Sequence, residues 1–263
     1  MGENDTKVAL VTGAASGIGA SLVRKLRLAN IEVLGVDLDS SGLESIRAET
    51  DCSIFATDIS KNANNIEVAN QAVNQFGRLD YAFLNAGILG RKIEEQINPY
   101  TSSDLDPEHY TTVRAVNFDS VVFGTLAVAP VIQESGGGSI IATASIAGIV
   151  AWNRDPFYTA TKHAVVGWVR GVAPGLLNQG ISINAICPGG VATPLVGVDR
   201  LASADSNLLD PEQVSQAMYE TAIGDETGQA YTVKAGDSPI RQKFTFTSIE
   251  LSLIHISEPT RPY

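Results

Sequence analysis

At 263 residues with 44% hydrophobic side chains, the chain is long enough for one large α/β core, and no Pro/Gly/Ser-rich linker or charge run divides it. A formal charge of −11 and a pI near 4.7 argue against a nucleic-acid or anionic-membrane surface, because phosphate binding needs a basic patch. No apolar run approaches the roughly 20 residues needed to span a bilayer, and Met1 to Lys7 is polar and acidic, so the chain reads as cytoplasmic, with no membrane partner.

Val8 to Val11 is a short apolar run that ends in Thr12-Gly13-Ala14-Ala15-Ser16-Gly17-Ile18-Gly19. Leu22, Val23, Leu26 and Leu28 follow at mostly helical spacing, giving strand, glycine turn and helix. Glycines there let the backbone approach a pyrophosphate, and the N–H groups opening the helix favour its negative charge. Ile31 to Asp37 reads as a second strand, and Asp37 falls about 18 residues after Gly19, near the interval of a ribose-binding carboxylate. A carboxylate there accepts both ribose hydroxyls and repels a 2′-phosphate, and residues 36 to 46 carry no Arg or Lys to offset it. The expected cofactor is therefore NAD rather than NADP.

Ser53 to Asp58 reads as a third strand, Ile66 to Phe76 as an amphipathic helix stopping near Gly77, and Tyr81 to Leu84 as a fourth strand opening into Asn85-Ala86-Gly87. Strands alternating with helices at this pace imply a doubly wound parallel sheet in three α/β/α layers, with ligands at the carboxyl ends of the strands. Ile88 to Ser103 is polar, contains Pro99 and reads as a loop at the site mouth. Asp106-Pro107 starts a long helix running through Asn117 to about Val131. Asn117 lies among Val113, Val116 and Val121, so it is either a hydrogen-bonded core amide or a polar functional group.

Gly136-Gly137-Gly138 turns into a fifth strand, Ser139 to Ser145, which delivers Ser145 at its end. Asp155-Pro156 caps the next helix, putting Tyr158 and Lys162 one turn apart on one face. At roughly 4 Å and an effective dielectric near 20, their attraction is about 4 kcal/mol, enough to lower a phenol pKa by about 3, so Tyr158 is expected to titrate near neutrality. Pro174 should kink that helix or end it early, and Ile181 to Ile186 is a sixth strand ending at Cys187-Pro188-Gly189-Gly190. Cys52 and Cys187 are lone thiols without metal-like spacing, and no metal site is expected.

Thr12-Gly13-x-x-x-Gly17-x-Gly19, Asp58, Asn85-Ala86-Gly87, Asn117, Ser145, Tyr158-x-x-x-Lys162, Pro188-Gly189 and Thr193 resemble, in order, the motifs of the short-chain dehydrogenase/reductase family in its compact single-domain form, over about residues 6 to 236. The resemblance implies an NAD-dependent oxidoreductase interconverting a secondary alcohol and a ketone. It makes Ser145 the donor to the substrate oxygen, Tyr158 the acid/base, Lys162 its electrostatic partner and ribose ligand, and Asn117 the holder of a relay water. Gly13, Ser16, Gly17, Ile18, Gly19 and Asp37 would bind the dinucleotide together with Asp58, Ile59, Asn85, Ala86 and Gly87. Pro188, Gly189, Val191 and Thr193 would pack at the nicotinamide end. It further implies a homodimer or homotetramer through the helices carrying Asn117 and Tyr158. The other reading is a dinucleotide-binding sensor or interaction protein without catalysis.

Ala192 to Asp210 reads as a substrate lid, with a helix starting at Pro211. Only about 40 residues separate Pro188 from Thr227 to Val233, which resembles the family's last strand, so the lid segment is short. Residues 1–236 are taken as one domain and 237–263 as a tail. Leu251 to Arg261 resembles a translated sequencing adapter, so at least 251–263 is read as foreign and His255 is given no role.

Overall fold

The computed structural model describes residues 6–91, 105–196, 208–234 and 238–244. Among these, eight strands form one sheet: β1 (Val8–Thr12), β2 (Glu32–Asp37), β3 (Ser53–Ala56), β4 (Tyr81–Leu84), β5 (Gly138–Thr143), β6 (Ile181–Pro188), β7 (Ala230–Val233) and β8 (Ile240–Arg241). Their order is β3-β2-β1-β4-β5-β6-β7-β8. Every pair is parallel except the last, in which β8 joins β7 antiparallel. The strand order reverses between β1 and β4, and a crevice at their carboxyl ends is where such a sheet takes a ligand.

The strands are covered on both sides, as parallel sheets must be. All five residues of β1 are buried, and they alternate between two apolar cores. Val8 and Leu10 face α3 (Asn62–Phe76), α5 (Ser120–Glu134) and α6 (Pro156–Leu177), whereas Ala9 and Val11 face α1 (Gly17–Leu28), α2 (Ser40–Thr50) and α7 (Pro211–Ala222). The result is the expected Rossmann-type three-layer arrangement. Helix α3 stops at Gly77, whose φ of 77° suits a residue without Cβ.

Several local expectations shift. The third and fifth strands are shorter than their apolar runs, leaving Asp58 and Ser145 in the loops beyond them. Helix α2 escaped the pattern reading because it buries only Leu43 and Ile46. The expected early end at Pro174 does not occur, since α6 runs on to Leu177. Its missing N–H removes a single bond in the last turn.

The helix expected from Pro107 is three pieces: α4 (Pro107–Arg114), a π-helical turn over Ala115–Asp119, and α5. This 28-residue run has an 18-residue window of mean hydropathy 1.7, long and apolar enough to cross a bilayer, contrary to the sequence expectation. It is placed as a core helix: Val121, Val128 and Ile132 are buried against α3 and the sheet. The loop expected from Ile88 onward, the central part of the lid and the end of the tail extend into residues outside those described.

Candidate active site

The glycine turn is shaped by backbone crowding. Gly13 and Gly17 have φ of 70° and 53°, in the left-handed region. A Cβ on Gly19 would lie 1.9 Å from the Gly13 carbonyl oxygen, so the first turn of α1 can close on the loop only with hydrogen there. Thr12 Oγ1 accepts from the amides of Asn85 (2.9 Å) and Ala86 (3.2 Å), while Asn85 Nδ2 donates to Thr12 O (3.1 Å). Thr143 Oγ1 in turn donates to Asn85 Oδ1 at 3.0 Å, which ties the ends of β1, β4 and β5 together.

Asp37 turns back toward this loop and accepts from Ala15 N (3.0 Å) and Asp39 N (3.1 Å). Asp58 accepts from Ser60 N at 3.0 Å, and hydrogen bonding to Ser60 is the main cause holding its carboxyl below the usual range. Both acids border one end of a cavity of about 1000 Å³, along with Gly13, Ser16, Gly17, Ile18 and Ile59. Asn85, Ala86 and Gly87 line its middle, and Pro188, Gly189, Val191 and Thr193 border it from β6 and the loop after it. Ser145, Tyr158 and Lys162 also line it. Of the residues expected in the site, Gly19 and Asn117 alone do not reach its surface.

Beyond the end of β5, Ser145 caps a short 3-10 turn, accepting from Ala147 N at 3.1 Å and donating to Pro188 O at 3.5 Å. Tyr158 is the third residue of α6 and is 8% exposed. Lys162 is 2% exposed, and its Nζ donates to Thr143 O at 2.8 Å while lying 5.5 Å from the Tyr158 ring centroid. Asn117 is fully buried. Its Oδ1 accepts from Ile88 N (2.7 Å), and its Nδ2 donates to Ile88 O (2.8 Å) and Thr161 Oγ1 (3.2 Å). A Cβ on Gly87 would come within 3.3 Å of both Asn117 Oδ1 and Lys162 Nζ, so the two side chains flank one backbone point. The π-turn carries Asn117 to that point.

The expected near-neutral phenol is not what this environment gives. Burial pushes Tyr158 up to about 12, with the Ser145 hydrogen bond acting downward and Asp155 upward. Burial also pushes Lys162 down to about 8. Desolvation outweighs the attraction because the ammonium is engaged with Thr143 O and stands off the ring. Burial likewise pushes Cys187 up to about 12, consistent with an inert structural thiol.

Three participants were missed by sequence reasoning. Thr143 precedes Ser145 by two residues and holds both Asn85 and Lys162, a role that strand alternation from Ser145 could have suggested. Trp152 packs edge-on to Tyr158, with centroids 5.8 Å apart and planes at 82°. With Ile88, Leu89, Val150 and Leu195 it forms an apolar wall of the cavity. Gly90 touches Asp155, the N-cap of α6, from 65 positions away and had no sequence signal.

The model of a family described as short chain dehydrogenase matches residues 7–203. Levodione reductase of Leifsonia aquatica is 33% identical over 221 residues, covering 81% of this chain and 78% of that protein. Cyclohexanol dehydrogenase of Acinetobacter sp. (strain SE19) is 32% identical over 243 residues, covering 87% and 94%. Among solved structures, a 3-ketoacyl-(acyl-carrier-protein) reductase from Brucella melitensis complexed with NADH superposes with a TM-score of 0.78 at 28% identity, covering 88% of this chain and 97% of that one.

Proposed function

The chain belongs to the short-chain dehydrogenase family, and on that premise we propose that it is an NAD-dependent oxidoreductase interconverting a secondary alcohol and a ketone, with Tyr158 as acid/base. One observation carries this reading: Ser145, Tyr158 and Lys162 converge at one end of a cavity whose other end holds the glycine turn and Asp37.

The residues fit a dinucleotide. The turn made by Gly13, Gly17 and Gly19 leaves no room for side chains, and Asp37 faces it as the only strand-end carboxylate of β2. Asp37 is the group that would hold the ribose hydroxyls and disfavour a 2′-phosphate. Asp58, Ile59, Asn85 to Gly87, Val191 and Thr193 would complete the binding surface. When bound, a nicotinamide dinucleotide accepts or gives hydride, and its oxidised ring is a cation that favours phenolate.

The protein's own residues handle the proton. Ser145 donates a hydrogen bond to the substrate oxygen, and Tyr158 exchanges a proton with it. Lys162, fixed by Thr143 O, supplies positive charge to the phenolate once formed. Asn117 fixes the Ile88 backbone beside the Lys162 ammonium. The apolar wall of Ile88, Leu89, Val150, Trp152 and Leu195 supports a substrate with an apolar body, in keeping with relatives named for cyclohexanol and levodione.

A homodimer or homotetramer is supported by the outer faces of α5 and α6. Leu126 is 59% exposed, and Gly167, Gly171 and Gly175 recur one turn apart with open space above them. Tyr158→Phe tests the chemistry: turnover of cyclohexanol should fall below detection while NADH still quenches or shifts fluorescence normally. A variant with near-normal kcat overturns the role of Tyr158, and an enzyme that prefers NADP in kcat/KM overturns the role of Asp37. An alcohol and ketone panel without turnover would favour a non-catalytic dinucleotide sensor.

A further inference from the structure

We propose that Asp155 is a positioning residue that locks the apolar substrate wall to the catalytic helix, a role distinct from capping that helix. The proposal rests on the reading of Tyr158 as the acid/base. Asp155 is 0% exposed. Its Oδ1 accepts from Tyr158 N at 3.0 Å, the ordinary bond of an N-cap. Its Oδ2 makes contacts that no cap requires: it accepts from Gly90 N at 2.7 Å and Arg91 N at 3.0 Å, in the segment that follows Asn85-Ala86-Gly87. One carboxylate thus joins the backbone of the reacting tyrosine to that of the segment carrying Ile88 and Leu89.

The lock is tight and shared. A Cβ on Gly90 would lie 2.3 Å from Asp155 Oδ1, so only glycine allows this approach. Asn117 grips Ile88 through both its N–H and its C=O, so the segment is held at two points, once from the π-turn and once from α6. On the other side, Trp152 O accepts from Thr159 Oγ1 at 2.9 Å and Arg154 O accepts from the Arg91 guanidinium at 3.1 Å. Two of the three segments that supply the apolar wall, those of Ile88–Leu89 and of Val150–Trp152, are therefore tied around Asp155. A buried carboxylate is costly unless hydrogen-bonded, and three amides satisfy this one in a place where a serine would suffice for the cap alone.

Two variants test the lock. Asp155→Ser keeps a cap for α6 but is too short to reach Gly90 and Arg91. Gly90→Ala keeps the carboxylate but pushes on it from the opposite side, its methyl meeting the cap oxygen Oδ1, so it strains cap and lock together. For both, the expected result is a KM for cyclohexanol raised about tenfold or more, the scale of one lost hydrogen bond to a charged group, with kcat within about threefold and NADH affinity unchanged. Thermal unfolding of each variant checks that it is folded at the assay temperature. A folded Asp155→Ser enzyme with wild-type KM shows that Asp155 is a cap only and overturns the proposal, as does a parallel loss of kcat and NADH affinity in both variants. Should Asp155→Ser not fold, a folded Gly90→Ala enzyme with wild-type KM overturns the proposal. Tyr158→Phe, assayed alongside, distinguishes the levels: an active Tyr158→Phe enzyme sinks the catalytic reading, whereas an inactive one beside a kinetically normal Asp155→Ser sinks the lock alone.

Discussion

Replacing Lys162 by Met should make the folded protein more stable at neutral pH while removing its activity. The depression of the ammonium from the ordinary 10.5 to about 8 corresponds to about 3 kcal/mol of folding free energy at pH 7. Met has a similar shape and carries no charge to desolvate, but it abandons the 2.8 Å bond to Thr143 O, which offsets about 1 kcal/mol. The net gain is about 2 kcal/mol. Its pH dependence follows from the direction of the shift. A folded pKa below the unfolded one means that wild-type stability is present above about 10.5 and lost as pH falls through about 8. The advantage of the variant is therefore full below about pH 8 and gone near pH 10.5, where only the lost hydrogen bond remains. Urea unfolding at pH 7 and pH 10, at one protein concentration to hold any association constant, measures both ends. Turnover should drop by about 10²-fold or more. A variant less stable than wild type at pH 7, or a gain identical at both pH values, would refute the reasoning that desolvation dominates at this site.

Gly19→Ala should weaken NADH binding about tenfold or more and cost about 1–3 kcal/mol in stability, because the new methyl meets the Gly13 carbonyl; titration and unfolding check both, and wild-type affinity would contradict the crowding seen there. Asn117→Ala leaves the Ile88 N–H and C=O without their partner and should lower stability by about 1–3 kcal/mol, with an unchanged urea midpoint as the contrary result. Gly171→Glu places a charge in open space on α6, so it should leave the fold intact and shift the protein toward a smaller species in light scattering, whereas an unaltered mass would remove that face from the interface.

Much of the site could be read before the fold was known, because its parts are encoded locally. The glycine spacing, the interval from Gly19 to Asp37 and the Asp155-Pro156 helix start each depend on a few consecutive residues. What could not be read depends on distance or depth. Spacing placed Lys162 beside Tyr158, but nothing in five residues states that both are stripped of water, and that reversed the expected pKa. The π-turn at Asn117 has no residue signature, and Asp155's bonds to Gly90 and Arg91 join segments about 65 positions apart. Helix α2 shows the other failure, an element whose apolar face is too sparse to announce itself.

The reversal of strand order between β1 and β4 has a consequence for how the chain reaches this state. Ala9 to Val11 must pair with Tyr81 to Phe83, and Val8 N with Asp80, 72 positions later. At about 5–20 residues per second, a ribosome needs roughly 4–14 s to supply that partner. During that interval β1 can pair with β2 and bury its face against α1, yet its other edge carries open amides and carbonyls. The acidic charge of the nascent chain and the brevity of the edge are then its protection against pairing with a neighbour. The seam on which the dinucleotide would lie is thus also the last joint of the N-terminal half to close.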